Sequence, residues 1–183
     1  MKTALVVLDM LNDFVDGTLA NKAAQEIIDP IASLVEGARK QDDWVVVYAN
    51  DAHQPNDLEF AVFGEHALAG TEGAAVVPEL EPADGDIIVP KRFYSAFTDT
   101  DLDATCRVHD IERMVIVGQH TNCCCRHTSY DAFLRGIELA VVSDGTCVFE
   151  PLTEGEYDRV QRESLKYLNT FYNADILEAS AVF

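Results

Sequence analysis

Several short apolar runs in this chain lack the alternation of a half-exposed strand, and that property decides most of what it can fold into. Ala4–Leu8 (ALVVL), Trp44–Tyr48 (WVVVY), Asp86–Val89 (DIIV), Met114–Val117 (MVIV) and Leu139–Val142 (LAVV) are too short for helices and have no polar face to turn toward water. Such runs read as strands covered on both sides, the condition of a parallel sheet. The stretches between them have helical spacing. In Ala20–Arg39, Ile27, Ile31, Leu34 and Val35 fall at three- and four-residue intervals; Asp101–His109, Cys125–Arg135 and Gly155–Leu168 are further helices, and a last strand is expected near Asp175–Leu177. Strands alternating with helices make βαβ units, so the predicted fold is a doubly wound α/β/α sandwich in three layers around a mainly parallel sheet.

The chain has 183 residues, 48% of them apolar, enough for one substantial core, and no compositional break divides it. One domain over residues 1–183 is the expectation. Acidic residues number 32 against 13 basic ones, a formal charge of −19, which disfavours nucleic acid and anionic membranes as partners. An acidic surface with only five lysines fits a halophilic source, where salt would screen the self-repulsion. No stretch reaches the ~18 apolar residues of a membrane span, and no leader pattern precedes Thr3, so a cytoplasmic protein is expected. The cysteine count is odd, five, and Cys123, Cys124 and Cys125 are consecutive, which suits reduced thiols rather than a disulfide framework.

In an open parallel sheet the ligand crevice lies beyond the carboxyl ends of the strands, where the winding reverses. Asp9 ends the first run, Asn50–His53 follow the second, Pro90 and Lys91 the third, and Gly118–Cys124 the fourth, so four polar clusters converge on one edge. Cys124 lies between a strand and a helix start, where unpaired N–H groups favour a thiolate and offer donors to an oxyanion. The same cysteines also read as small buried apolar residues. Asp9 beside such a thiol would take its proton, and Lys91 would hold both anions in check; taken singly, Asp9 suits a turn cap and Lys91 a solvated loop. Both are expected at strand ends, outside the packing. Asp51, His53 and His66 supply a carboxylate and two imidazoles for a divalent cation of the zinc or iron type, and Asp57 and Glu65 are candidate acceptors behind the imidazoles.

The stretch GQHTNCCCRHTSYDA, Gly118–Ala132, resembles the nucleophile segment of isochorismatase-like cysteine hydrolases, whose pattern Gly-x-x-Thr-x-x-Cys places the family cysteine at Cys124. Asp9 with Asn12–Phe14 is similar to the family's Asp-x-x-x-Asp-Phe opening, and Lys91 with Tyr94–Phe97 (YSAF) to its lysine segment. The resemblance implies a six-stranded parallel sheet, an Asp9–Lys91–Cys124 triad, a thioester intermediate and a cis peptide between Gln119 and His120. It also implies an oxyanion hole from the backbone N–H groups of His120 and Cys124. Among the branches, nicotinamidases look most similar through DAH and FGEHALAGTEGA. They imply a metal on Asp51, His53 and His66, a ring pocket of Phe14, Phe63 and Tyr94, nicotinamide as the amide substrate, and a homo-oligomer. The sequence leaves two other readings open: a metal-free carbamoyl or small aliphatic amide hydrolase, and a noncatalytic metal-binding or thiol-redox protein.

Overall fold

The apolar runs become neighbouring parallel strands in the computed structural model, which describes residues 1–183. They are β1 (Lys2–Leu8), β2 (Trp44–Asp51), β3 (Ile87–Lys91), β4 (Ile111–Gln119), β5 (Glu138–Cys147) and β6 (Asp175–Leu177). Their order in the sheet is β3-β2-β1-β4-β5-β6, and every adjacent pair is parallel. Successive side chains of a strand point to opposite faces, so a strand apolar throughout feeds two cores. Leu5 and Val7 join Val46, Tyr48, Val115 and Val117 in one core. Ala4, Val6 and Leu8 join Val47, Met114 and Ile116 in the other.

Helices cover both faces. The helices are α1 (Asn12–Val15), α2 (Lys22–Glu26), α3 (Ile28–Ala38), α4 (Phe60–Phe63), α5 (Leu102–Val108), α6 (Cys124–Leu134) and α7 (Tyr157–Tyr172). Helix α3 lays Ile31, Leu34 and Val35 on the first core, while α5, α6 and α7 contribute Leu102, Cys125, Ala132 and Leu168 to the second. Fully burying one Val or Leu contributes about 1.5–3 kcal/mol, so these layers carry the fold. No helix is long and apolar enough to cross a membrane.

The single helix expected over Ala20–Arg39 is two, because α2 ends at Glu26 and α3 starts at Ile28. Pro30 is the reason: proline has no N–H and its ring crowds the preceding turn, so it is tolerated in the first turn of α3 and not inside a longer helix. Helix α6 starts one residue earlier than expected, on Cys124 itself. Helix α7 passes Leu168 and runs to Tyr172, where Asn173 takes the left-handed conformation (φ 54°) that ends it.

The winding reverses between β1 and β4. There Gly118 adopts φ 103°, and a Cβ on it would stand 2.0 Å from the Leu8 carbonyl oxygen, so only glycine lets β4 come this close to β1 at the crevice.

Candidate active site

Lys91 is 1% exposed although it ends a strand of the sheet edge. It pairs in register with Asp51 of β2, which turns the two side chains to the same side. Its ammonium stands 2.5 Å from Asp51 Oδ1, 2.8 Å from Asp9 Oδ2 and 3.6 Å from Cys124 Sγ. Asp9 follows β1 in the left-handed region (φ 53°), which aspartate tolerates better than most residues. Its orientation is fixed three ways. The Asp9 N–H donates to Asn50 Oδ1 (3.0 Å), the Asp51 N–H donates to Asp9 Oδ1 (2.7 Å), and Gln119 Nε2 donates to the Asp9 carbonyl (3.1 Å). The expectation that Asp9 and Lys91 lie outside the packing is corrected: both are buried, and each is held by the other's charge.

Burial, helped by the Asp51 charge and opposed by Lys91, pushes the Asp9 carboxyl up to about 6. Burial works against the Lys91 ammonium too, but Asp51 and Asp9 outweigh it and keep the proton on well above the ordinary lysine range. The Cys124 thiol is raised as well, by a hydrogen bond with the Cys123 side chain and then by burial, with Lys91 opposing. A helix start alone therefore does not lower this thiol, and a neighbouring base is what could take its proton. The Gln119–His120 peptide is cis. The His120 carbonyl accepts from the N–H groups of Cys123 (2.9 Å) and Cys125 (3.2 Å), while the N–H groups of His120 and Cys124 donate to no backbone carbonyl.

Asp51 also faces a second cluster. Asp51, His53, Glu59 and His66 are all buried, and their ligand atoms lie within 4.8 Å of one another. His53 Nε2 is 3.6 Å from Asp51 Oδ2 and 3.7 Å from Glu59 Oε2, and it is buried without a hydrogen-bond partner. Leaving such a group unpaired costs about 1–3 kcal/mol. The opposite nitrogens are committed. His53 Nδ1 lies 3.0 Å from Asp57 Oδ2, and His66 Nδ1 lies 2.7 Å from the Gly64 carbonyl. Both imidazoles are thus turned to offer Nε2 to one point, the arrangement found behind metal-binding histidines. Burial and the Asp51 charge push Glu59 up to about 7, and burial lowers His66. For His53, burial is outweighed by Asp51, Asp57 and Glu59, and the net direction is up. Two nitrogen and two carboxylate donors suit a borderline divalent cation.

A cavity of about 220 Å³ opens on His66 and Glu59 of the histidine cluster and reaches Cys123, the chain neighbour of Cys124. Phe14, Phe63 and Tyr94 are on its wall, as the resemblance implies, with His66, Glu59, His120, Cys123 and Phe149. Cys123 is half-buried on this wall, whereas Cys124 is 6% exposed. Phe14 packs on His66 at 5.4 Å between ring centroids, and Asp13 beside it accepts the Ala67 N–H at 2.8 Å, so the opening motif anchors the loop that carries His66.

The structure brings together each group of residues singled out from the sequence. It also adds two features that the sequence did not give. Glu59, just before the short helix α4, joins the histidine cluster at a spacing from His53 that follows no strand or helix period. Asp51 touches Lys91 as well as the histidine cluster, which only the strand order reveals. Of the two expected acceptors, Asp57 does bond His53; Glu65 is exposed, and the Gly64 carbonyl takes its place behind His66.

Comparison with known proteins identifies the family. The isochorismatase domain matches residues 3–162. The isochorismatase family protein PncA of Bacillus subtilis (strain 168) is 32% identical over 162 residues, covering 81% of this chain and 88% of that protein. The crystal structure of N-carbamoylsarcosine amidase from Thermoplasma acidophilum superposes with a TM-score of 0.89 at 32% identity, over 100% of this chain and 99% of that one. That of nicotinamidase/pyrazinamidase PncA from Bacillus subtilis gives 0.87 at 29% identity, over 97% and 100%. With the match spanning most of its length, the chain belongs to the isochorismatase family.

Proposed function

We propose that this chain is a cysteine-dependent amide hydrolase that converts nicotinamide to nicotinate and ammonia. The observation that carries the reading is Lys91 buried between Asp9 and Cys124, at 2.8 Å and 3.6 Å, next to an aromatic-walled cavity. Asp9 takes the proton from Cys124 as the sulfur attacks the amide carbonyl carbon, and the His120 and Cys124 N–H groups receive the developing oxyanion. Asp9 then passes the proton to the leaving nitrogen, and ammonia departs from a thioester. Water attacks that thioester, its proton again taken by Asp9; the acid leaves and sulfur regains a proton. Lys91 stays protonated throughout and holds Asp9 in the anionic form that can act as a base.

Nicotinamide is favoured over other amides by the histidine cluster. Asp51, His53, Glu59 and His66 would hold a zinc- or iron-type cation, and their donor chemistry and the unpaired His53 Nε2 fit one. Such an ion supplies a Lewis-acid position for a pyridine nitrogen, while Phe14, Phe63 and Tyr94 would flank the ring. The second reading is a hydrolase of N-carbamoyl compounds, favoured by the likeness to N-carbamoylsarcosine amidase over the whole chain. Ammonia release measured on nicotinamide, pyrazinamide and N-carbamoyl amino acids decides between them. Turnover of the two aromatic amides, lost in Cys124→Ala, is the expected result; turnover confined to carbamoyl compounds selects the second reading, and no ammonia from any amide overturns both.

A further inference from the structure

Asn21 stands at the N-cap of α2, where an asparagine ordinarily accepts from an N–H of the first helical turn, yet its side chain makes no such bond. The residue is 0% exposed and is turned instead toward the carboxyl ends of β4 and β5. Its Nδ2 donates to Gln119 Oε1 (3.1 Å) and to the Val148 carbonyl (3.0 Å), and its Oδ1 accepts the Glu150 N–H (3.2 Å). Gln119 in turn donates from Nε2 to the Asp9 carbonyl (3.1 Å). A backbone carbonyl only accepts and a backbone N–H only donates, so each amide has one orientation. Turning Asn21 over would set Oδ1 against the Val148 oxygen, and turning Gln119 over would set Oε1 against the Asp9 oxygen. Two buried amides thus form a chain of contacts from the end of β5 to Asp9. At one end Asp9 is held in its left-handed conformation, with its carboxylate 2.8 Å from Lys91. At the other, the bonds to Val148 and Glu150 flank Phe149, which lies on the cavity wall with its ring 5.0 Å from that of His120.

We propose that Asn21 is a positioning residue that sets the direction of Asp9 through Gln119 and the place of Phe149 directly, although it has no place on the cavity wall itself. That Asp9 is the base rests on the function proposed above; the chain of amide contacts does not. A base must lie within hydrogen-bond reach of the proton it takes, and a misplacement of about 1 Å can cost about 10²-fold in rate. Without Asn21 the Gln119 amide is free to turn, and the hold on the backbone turn after β1 is lost. Lys91 and the Asp51 N–H still bind the carboxylate, so the base is loosened rather than removed. The effect on rate is therefore smaller than that of deleting the carboxylate. The contacts around Phe149 act on binding instead, because a wall free to move back holds a substrate less tightly.

The test is a double-variant cycle on whichever amide the protein hydrolyses. Asn21→Ala should lower kcat by about 10–100-fold and raise KM several-fold, whereas Gln119→Met should give a similar loss in kcat with KM unchanged. Combining the two should lower kcat no further than Asn21→Ala alone, because both break one chain of contacts. Losses in kcat that multiply, or a folded Asn21→Ala protein with kcat within about twofold of the unaltered enzyme, overturn the proposal. If Asn21→Ala does not fold, Gln119→Met decides alone, since Asn21 keeps its bonds to Val148 and Glu150 in that variant, and a normal kcat there overturns the proposal. Alkylation of Cys124 by iodoacetamide, mapped on the tryptic peptide Met114–Arg126, reads Asp9 without any amide being hydrolysed. It should slow in Asp9→Asn, in Asn21→Ala and in Gln119→Met. If it does so in a protein that hydrolyses none of the amides tested, the proposed function fails and the positioning role stands. Slowing confined to Asp9→Asn overturns the positioning role, and no slowing in any of the three means that Asp9 is not the base for Cys124, which overturns both.

Discussion

The Lys91 cluster and the histidine cluster share Asp51, yet they balance their charges in opposite ways. Around Lys91 the protein supplies its own cation: three N–H donors of one ammonium face Asp9, Asp51 and Cys124. Asp9, Asp51 and Cys124 by themselves would be a set of donors for a metal, and the lysine stands among them. Around His53 the cation is only that same Lys91, which reaches Asp51 and no other member of the cluster. Two carboxylates and two imidazoles converge, His53 Nε2 has no partner, and Glu59 is pushed up to about 7 by burial and by Asp51. The difference teaches that one site is closed by the fold, while the other keeps a set of donors that could hold a cation from outside. It also suggests why the two sit together, since Asp51 ties the position of any bound ion to the lysine that orients Asp9.

The largest effects are expected in the closed cluster. Cys124→Ala should lower amide turnover by at least about 10⁴-fold, since Cys124 is the thiol that faces Lys91. Single-turnover ammonia release measures it, and residual activity within tenfold of the unaltered enzyme would remove Cys124 from the reaction. Asp9→Asn should cost about 10²–10⁴-fold in kcat, the usual share of a general base. Lys91→Ala should cost as much in rate and should also destabilise the fold by about 3–5 kcal/mol, because it leaves two buried carboxylates without their cation. Urea unfolding reads that loss. The same variant offers Asp9, Asp51 and Cys124 to a metal, so zinc should bind it with one equivalent more than the unaltered chain. A Lys91→Ala protein of unchanged stability and zinc content would show that the lysine does not close this cluster.

Much of this was legible in the sequence, and the reasons are particular. Leu5, Val6, Val7 and Leu8 are apolar without alternation because each faces one of two cores, and that is visible in any such run. The polar residues after the strands could be placed on one edge because parallel strands all end on the same side. Pro30 marks where the helix over Ala20–Arg39 breaks, although the helical spacing continues across the junction. Glu59 left no sign, because a loop brings it to His53 and loops have no period. The burial of Lys91 and the raising of the Cys124 thiol depend on what packs around them, which no spacing encodes.

The open cluster should respond less in rate and more in metal content. With zinc at a hundred times its dissociation constant, binding stabilises a folded protein by about 2.7 kcal/mol. The unaltered chain should show the corresponding rise in melting temperature after dialysis against a chelator and re-addition of zinc. His53→Ala should lose that rise, and Glu59→Gln should keep part of it, since three donors remain. An equal rise in His53→Ala and the unaltered chain would mean that zinc binds elsewhere and that His53 Nε2 is simply an unpaired group.

The smallest expected effect lies one step behind that cluster and separates orientation from charge. Asp57 Oδ2 accepts from His53 Nδ1 at 3.0 Å and from the Gln54 N–H at 2.9 Å, so the imidazole proton is held on Nδ1 and the Nε2 lone pair is turned to the cluster. The Arg92 guanidinium is paired with the same carboxylate and holds it well below the usual carboxylate range. The Arg92 side chain is 52% exposed, however, and a pair so open to water contributes about 0–1 kcal/mol. Asp57→Asn should therefore weaken zinc binding by about 10–100-fold, the usual cost of losing an acceptor behind a ligating imidazole. Arg92→Ala should weaken it by no more than about fivefold, because Asp57 keeps its bonds to His53 and Gln54. Competition against a chelator of known affinity resolves the two. If Arg92→Ala costs as much as Asp57→Asn, the guanidinium rather than the carboxylate sets the angle of the His53 ring, and the histidine cluster depends on the surface more than its burial suggests.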